Sequence, residues 1–286
     1  MSNKLCKILL ILAIIFVVIA IPTFWLLYHP TNNKLEVTFL DVNQGDAILI
    51  KTPFGQNILI DGGPDNIVLR KLKNSLPWWD KKIDLMILTH PHDDHVTGLI
   101  DVIKHYKVKR IAYTGAIHTA PNYLRWLELV KNKNIALIII DRPQKIEFSN
   151  DCWLDVLYPT KNFLKKHVEK LNNTSIVAML NYNQTRFLFM GDAEIEVETE
   201  LLNNNIDLSA NVLKIGHHGS NNSNSADFLR AVQPEIAVIQ VGKNNTFGHP
   251  NRRVLKKLER LGTKIFRTDL NGTVQVISDG MNIYVK

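Results

Sequence analysis

The chain opens on an apolar run and then breaks into short alternating blocks. From Ile8 to Tyr28 no side chain is charged, and as a helix this stretch is long enough to cross the ~30 Å hydrocarbon core of a bilayer. Lys4 and Lys7 precede it, and Trp25 and Tyr28 lie near its far end. That is the pattern of a span with a cytoplasmic N-terminus and an aromatic anchor at the outer interface. The rival is a cleaved signal peptide, whose apolar core is shorter and ends at a small-x-small site. "VIA" at Val18 to Ala20, with Pro22 close behind, fits that poorly. The expectation is an uncleaved single-pass membrane anchor over residues 1–30. Residues 31–286 then form an extracytoplasmic domain.

Beyond a polar linker, "LEVTFLDV", "DAILIKT" and "QNILIDGG" predict strands, the last two joined by a hairpin turn in "TPFGQN". Helical spacing appears in "IVLRKLKNSL", "VTGLIDVIKHY" and "PNYLRWLELVKNK", the last with Leu124, Leu127 and Val130 on one face. "IDLMILTH" reads as a buried strand that ends on a histidine. The second half repeats this grammar. "SIVAMLNY" and "TRFLFMGD" form a hairpin, strand–helix units follow, and "GTVQVISDG" with "MNIYVK" closes the chain. Each half supplies strands first and βα units afterwards. Two mixed sheets packed face to face with helices outside satisfy this order, an α/β architecture.

Composition changes the picture little. The length of 286 residues suits one large domain or two small ones, and 45% hydrophobic content can furnish a core. Of the two cysteines, Cys6 precedes the apolar run and Cys152 follows it, so a disulfide framework is excluded and Cys152 reads as a small buried apolar residue. The formal net charge is +7, and without Lys4 and Lys7 the remainder carries +5. That mild excess suits an anionic substrate or an anionic membrane surface.

The chemistry concentrates in "THPHDDHVTG", where His90-x-His92-x-Asp94-His95 follows the apolar "LMIL". Short spacing on an irregular turn at a strand end lets several side chains converge on one point. Imidazole and carboxylate together suit Zn²⁺, Mn²⁺ or iron. The plain alternative is a solvated loop with turn-forming Pro91 and a helix-capping aspartate. Further ligand types recur at strand ends: Asp61 after "NILI", Asp192 after "FLFMG", His217 and His218 after "VLKIG", and His249 in "FGHP". Each alone reads as a cap, turn or surface group; the repetition sets them apart.

"FLDVNQGDA", "LIDGG", "THPHDDHVTG", "FMGDAE", "LKIGHHGS" and "FGHP", in that order, resemble the metallo-β-lactamase superfamily. More narrowly they resemble the hydrolase domain of ComEC-type competence proteins, from about Leu35 to near the C-terminus. Asn43 departs from the family's usual glycine; if the position needs positive φ, asparagine is the next best residue. The resemblance implies an αββα sandwich of two mixed β-sheets with a metal site at one edge. It implies two divalent metal ions, Zn or Mn: His90 and His92 on one, Asp94 and His95 on the other, Asp192 bridging. One histidine of His217 and His218 completes a sphere, with the lean towards His218. Superfamily members often carry another histidine between the cluster and the bridging aspartate. Here the candidates are His105, His118 and His167, of which His118 is best placed, and that gap weakens the second ion.

Such a pair activates water for in-line attack on a phosphorus or carbonyl centre. Asp61 then orients a ligand histidine through its other ring nitrogen. His249 is a candidate proton donor or phosphate contact, and Asp94 joins them in the catalytic set. Ser220 and the "GHHGS" amides bind an oxyanion or merely form a turn. Arg253, Lys256, Lys257 and Arg260 share one helix face and form either a stripe for a nucleic-acid backbone or a solvated face. Trp78 and Trp79 could stack bases or pack in the core. The expected function is a membrane-anchored metal-dependent phosphodiesterase or nuclease acting on DNA or another extracytoplasmic phosphoester, with no obligate protein partner. The alternatives are an inactive metal- or DNA-binding module, or an esterase acting on cell-envelope groups.

Overall fold

The computed structural model describes residues 3–28 and 34–286. The chain divides into two compact units, Met1–Asn33 and Lys34–Lys286. In the first, α1 (Asn3–Tyr28) is one helix of 26 residues. The side chains of Cys6, Pro22, Trp25 and Tyr28, and the linker at 29–33, lie outside the described residues. Among the described residues no helix is long and apolar enough to cross a membrane, so the structure does not carry the reading of this segment as a span.

The second unit is built on two mixed sheets. The first contains β1 (Leu35–Phe39), β2 (Ile48–Lys51), β3 (Asn57–Ile60), β5 (Leu85–Ile87), β7 (Arg110–Tyr113), β8 (Ala136–Ile139), β16 (Val274–Ser278) and β17 (Ile283–Val285). Its order is β17-β16-β1-β2-β3-β5-β7-β8. The second contains β9 (Gln144–Ser149), β10 (Cys152–Tyr158), β11 (Val177–Tyr182), β12 (Thr185–Phe189), β13 (Val212–Lys214), β14 (Ile236–Ile239) and β15 (Lys264–Arg267), running from β15 back to β9 in order. A short ribbon pairs β4 (Lys82–Ile83) with β6 (Lys107–Val108).

Alternation along the strands decides the layering. Val37, Phe39, Ile48, Ile58 and Ile60 on the first sheet meet Leu154, Leu180, Phe187 and Val238 on the second in a common apolar layer. Leu49, Leu59 and Met86 point to the other face, beneath α2 (Ile67–Ser75), α3 (Asp93–His105) and α4 (Pro121–Asn132). On the far side Leu188, Leu213 and Ala237 lie beneath α5 (Ile195–Asn203), α6 (Ala226–Val232) and α7 (Arg252–Arg260). The result is the expected αββα sandwich; α8 (Thr268–Asn271) is a single turn between β15 and β16. Cys152 is fully buried, and burial pushes its thiol up to about 12.

Two expectations need correction. On α4 the buried residues are Tyr123, Trp126 and Val130, while Leu124 is half exposed. The aromatic rings bury more area than the leucines and rotate the helix by one position. The cluster is also not an irregular turn throughout. Helix α3 begins at Asp93, so Asp94 and His95 sit in its first turn, where carboxylates complement the helix dipole. That turn is held close by two glycines: a Cβ on Gly98 would lie 1.9 Å from the Gly62 carbonyl, and one on Gly62 would lie 2.5 Å from the Leu99 nitrogen.

Candidate metal centre

The parallel strands β3, β5 and β12 to β14 all deliver their C-terminal ends to one rim. Asp61 follows β3, with its backbone in the left-handed region at φ 57°. Its carboxylate accepts from the Thr89 amide at 2.8 Å, the Thr89 hydroxyl at 2.6 Å and His95 Nδ1 at 2.8 Å. His95 is fully buried, and this contact aims its Nε2 into the site.

His218 is arranged in the same way from the opposite sheet. Its Nδ1 donates to the Gln240 carbonyl at 2.9 Å and lies 3.4 Å from Asp46 Oδ1. Its Nε2 approaches Asp94 Oδ2 at 3.2 Å and Asp192 Oδ2 at 3.4 Å, while His95 Nε2 approaches the same oxygens at 3.8 and 3.3 Å. Neither Nε2 has a hydrogen-bond partner, nor does Asp192 Oδ1. A tetrahedral ion with bonds of about 2.0–2.1 Å separates its ligand atoms by about 3.4 Å. Asp94, His95, Asp192 and His218 therefore fit a divalent cation, their ligand atoms all lying within 4.8 Å of one another.

The electrostatics point the same way. Burial alone would lower His95 and His218, but it is outweighed for His95 by Asp192, Asp94 and Asp61, and for His218 by Asp192 and Asp46. Both imidazoles are held well above the ordinary histidine value. Burial would raise Asp192 and Asp94, yet the two histidines hold both well below the usual carboxylate range. This is a cluster of acids and bases awaiting a cation in place of protons.

The other side of Asp192 is built from His90, His92 and His217. His90 Nε2 and His217 Nε2 each lie 3.9 Å from Asp192 Oδ2. The Thr89 hydroxyl gives its one proton to Asp61, so at 3.1 Å it accepts from His90 Nδ1. That leaves a lone pair on His90 Nε2, which accepts from His92 Nδ1 at 3.0 Å. Burial, and for the first two the charge on His95, lowers the pKa of His90, His92 and His217. His217 and His218 both adopt left-handed backbone, at φ 48° and 52°. The turn directs one ring towards Glu194 and the other inward.

A cavity of about 250 Å³ opens over these groups, between Gln44, Asn172, Phe247 and His249. His249 lines it, with burial first and His217 and His218 next pushing its pKa down to about 4. Its ring stacks on Phe247, which is 67% exposed.

Three predicted substrate contacts do not reach this cavity. Ser220 is buried, and its hydroxyl accepts from the Asn222 amide. Lys257 donates to the Asn224 carbonyl at 2.8 Å. Arg253 is an exposed residue of α7 outside the lining. Of the extra-histidine candidates, His105 is exposed and bonded to the Asp101 carbonyl, and His167 is exposed beside Ile117. His118 comes nearest, its ring centre 6.1 Å from that of His92.

The metallo-β-lactamase superfamily model matches residues 40–243. The chain belongs to the metallo-β-lactamase superfamily. Within it, the chain is 30% identical over 271 residues to "ComE operon protein 3" of Bacillus subtilis, covering 87% of this chain and 34% of that protein. It is 29% identical to "Competence protein ComA" of Neisseria gonorrhoeae, covering 85% and 32%. The chain thus resembles ComEC-type competence proteins and spans about a third of the length of these relatives. Igni18, a metallo hydrolase from Ignicoccus hospitalis, shares the fold with a TM-score of 0.54 at 17% identity, over 85% of this chain and 98% of that one.

The superfamily's metal-dependent hydrolase fold carries divalent ions, often two, and the clusters described here supply the donors. The better-formed cluster surrounds Asp94, His95, Asp192 and His218. The HxH pair, which in sequence is the stronger signal, has the looser surroundings. Sequence reasoning also missed Asp46, Lys214 and Gln240. Lys214 is fully buried, pairs with Asp46, donates to the Gly191 carbonyl at 3.0 Å and lies 3.8 Å from Asp192 Oδ1. A lysine inside the apolar run "VLKIG" was the available signal.

Proposed function

We propose that this chain is a metal-dependent phosphodiesterase acting on nucleic acid, held at the cell membrane by its N-terminal apolar segment with the catalytic domain outside. One observation carries the hydrolase reading: the buried, unpartnered Nε2 atoms of His95 and His218, facing Asp94 and Asp192. A divalent cation held there supplies a nucleophile at neutral pH and stabilises charge developing on a phosphoryl oxygen. Asp61 fixes the tautomer of His95 directly and of His90 through Thr89. Lys214 holds Asp46 and faces the Asp192 oxygen turned away from the histidines. His249 is a neutral imidazole at physiological pH, which suits a hydrogen bond to a substrate oxygen better than proton donation.

Nucleic acid as substrate is supported by the competence relatives and by Phe247, an exposed ring at the cavity mouth on which a base can stack. Extracytoplasmic placement is supported by the uncharged run from Ile8 and the lysines before it.

The test is turnover by the purified full-length chain with Mn²⁺ or Zn²⁺ on single-stranded DNA and on bis(p-nitrophenyl) phosphate. Hydrolysis abolished by chelator and by Asp192→Ala is the expected result. Clean metal binding with no turnover of any ester would show a binding module instead.

A further inference from the structure

The end of the domain opposite the metal centre bears exposed aromatic groups that catalysis leaves unused. Trp78 and Trp79, in the loop between α2 and β4, are 82% and 60% exposed, with rings edge to face at 5.5 Å. Phe54 in the β2–β3 turn and Met281 in the β16–β17 turn are also exposed. Single exposed apolar residues are ordinary; a gathered set marks an interaction surface.

The strand register places them at one end of the sheet. Leu35 pairs with Ser278, Glu36 with Lys51, Lys51 with Asn57, and Ile58 with Leu85. The turns that carry Phe54 and Met281 and the loop before Leu85 therefore leave the sheet at one end. The Asn57 amide ties two of them together, donating to Asp80 Oδ2 at 2.7 Å and to the Lys82 carbonyl at 3.0 Å. Lys81, Lys107 and Arg110 are exposed on the same end. Lys82 and Lys109 share the single carboxylate of Asp84 there, which leaves that trio net positive. The chain also enters the domain at this end, because Leu35 opens β1, and the uncharged segment precedes it.

We propose that this end is a lipid-docking surface for a bilayer with anionic headgroups. Trp78 and Trp79 enter the interfacial layer with Phe54 and Met281 beside them, and Lys81, Lys107 and Arg110 face the lipid phosphates. The proposal rests on reading the N-terminal segment as an anchor. A nucleic-acid partner fits less well, since Trp78 and Trp79 meet edge to face rather than in parallel and Phe54 stands on a different turn, which makes a poor platform for stacked bases. The strands of the first sheet run from this surface to the metal centre, so docking points the cavity at the aqueous phase. Its substrate then arrives from solution, and a bilayer lipid cannot reach it.

Tryptophan quenching in vesicles of brominated phosphatidylglycerol or brominated phosphatidylcholine tests this on the full chain. Trp25→Phe isolates the loop emission by difference from the triple Trp25→Phe, Trp78→Phe, Trp79→Phe variant. The double Trp78→Phe, Trp79→Phe variant, by difference from the same triple variant, reports on Trp25, because Trp126 and Trp153 remain in both. The expected result is about twofold or greater quenching of the loop emission in the anionic lipid. It should weaken in the neutral lipid and after Lys81→Glu with Lys107→Glu. Quenching of Trp25 without quenching of the loop overturns the docking surface and leaves the anchor standing. An unquenched Trp25 overturns both. Loop emission that responds to single-stranded DNA and to neither lipid overturns the proposal in favour of nucleic acid.

Discussion

The two sides of Asp192 hold the same kinds of side chain in different surroundings. Behind His95 stands the Asp61 carboxylate, and behind His218 stand the Gln240 carbonyl and Asp46. Behind His90 there is only a threonine hydroxyl, and His92 leans on His90 itself. A carboxylate behind an imidazole fixes the ring and raises its basicity. The first side is therefore preset for a cation, its two imidazoles held well above the ordinary histidine value by the carboxylates around them. On the second, burial lowers the pKa of the imidazoles; the cavity touches both sides, through His92 and His217 on the second and Asp94 and His218 on the first. An ion on the first side should be the tighter, and one on the second should exchange and follow substrate.

The harshest test removes what both sides share. Asp192→Ala should cost about 10³-fold or more in kcat and strip metal from both sides, read by turnover and by metal analysis after dialysis. Next, His218→Ala should release the tight ion, whereas His90→Ala should retain it and still lose about 10²-fold in activity. Equal metal loss in the two variants would erase the distinction.

Proton release separates the sides further. His95 and His218 have raised pKa values in the folded, metal-free protein. They stabilise that form fully below the ordinary histidine value, and the stabilisation is lost as pH rises through the raised values. Melting of the metal-free protein should therefore fall over that upper range, while metal affinity climbs about tenfold per pH unit for each proton displaced. His90 and His92, already lowered, should release none. Calorimetry in buffers of different ionisation enthalpy counts the protons. The mildest change is Asp61→Asn, expected to weaken metal binding about 10- to 100-fold on both sides through its reach to Thr89. Asp46→Asn should affect the His218 side alone.

How much of this was legible follows the distance over which each contact acts. His90, His92, Asp94 and His95 lie within one loop and one helical turn, so spacing alone announces them. Asp192, His217 and His218 were found because each ends an apolar strand. Asparagine in place of the family's usual glycine was read as tolerable at residue 43 if the position needs positive φ, and the φ of Asn43 is 65°. By contrast, Gln240 bonds to the Leu40 and Ala47 carbonyls, and Lys214 pairs with Asp46. Such contacts arise only when two sheets meet face to face, which no local pattern encodes. Ser220 misled differently: His218, two residues before it, lines the cavity, but the Ser220 hydroxyl accepts from the Asn222 amide, while the Lys257 ammonium is taken by the Asn224 carbonyl.

His217 and His218 share a further consequence. Two successive residues with side chains in left-handed backbone cost on the order of 1–3 kcal/mol each. Glycine at either would ease the turn and harden the protein against heat, while deleting an imidazole beside Asp192. A laboratory selection scored only on survival after boiling would erode this corner first and return sturdier proteins with nothing left to hydrolyse.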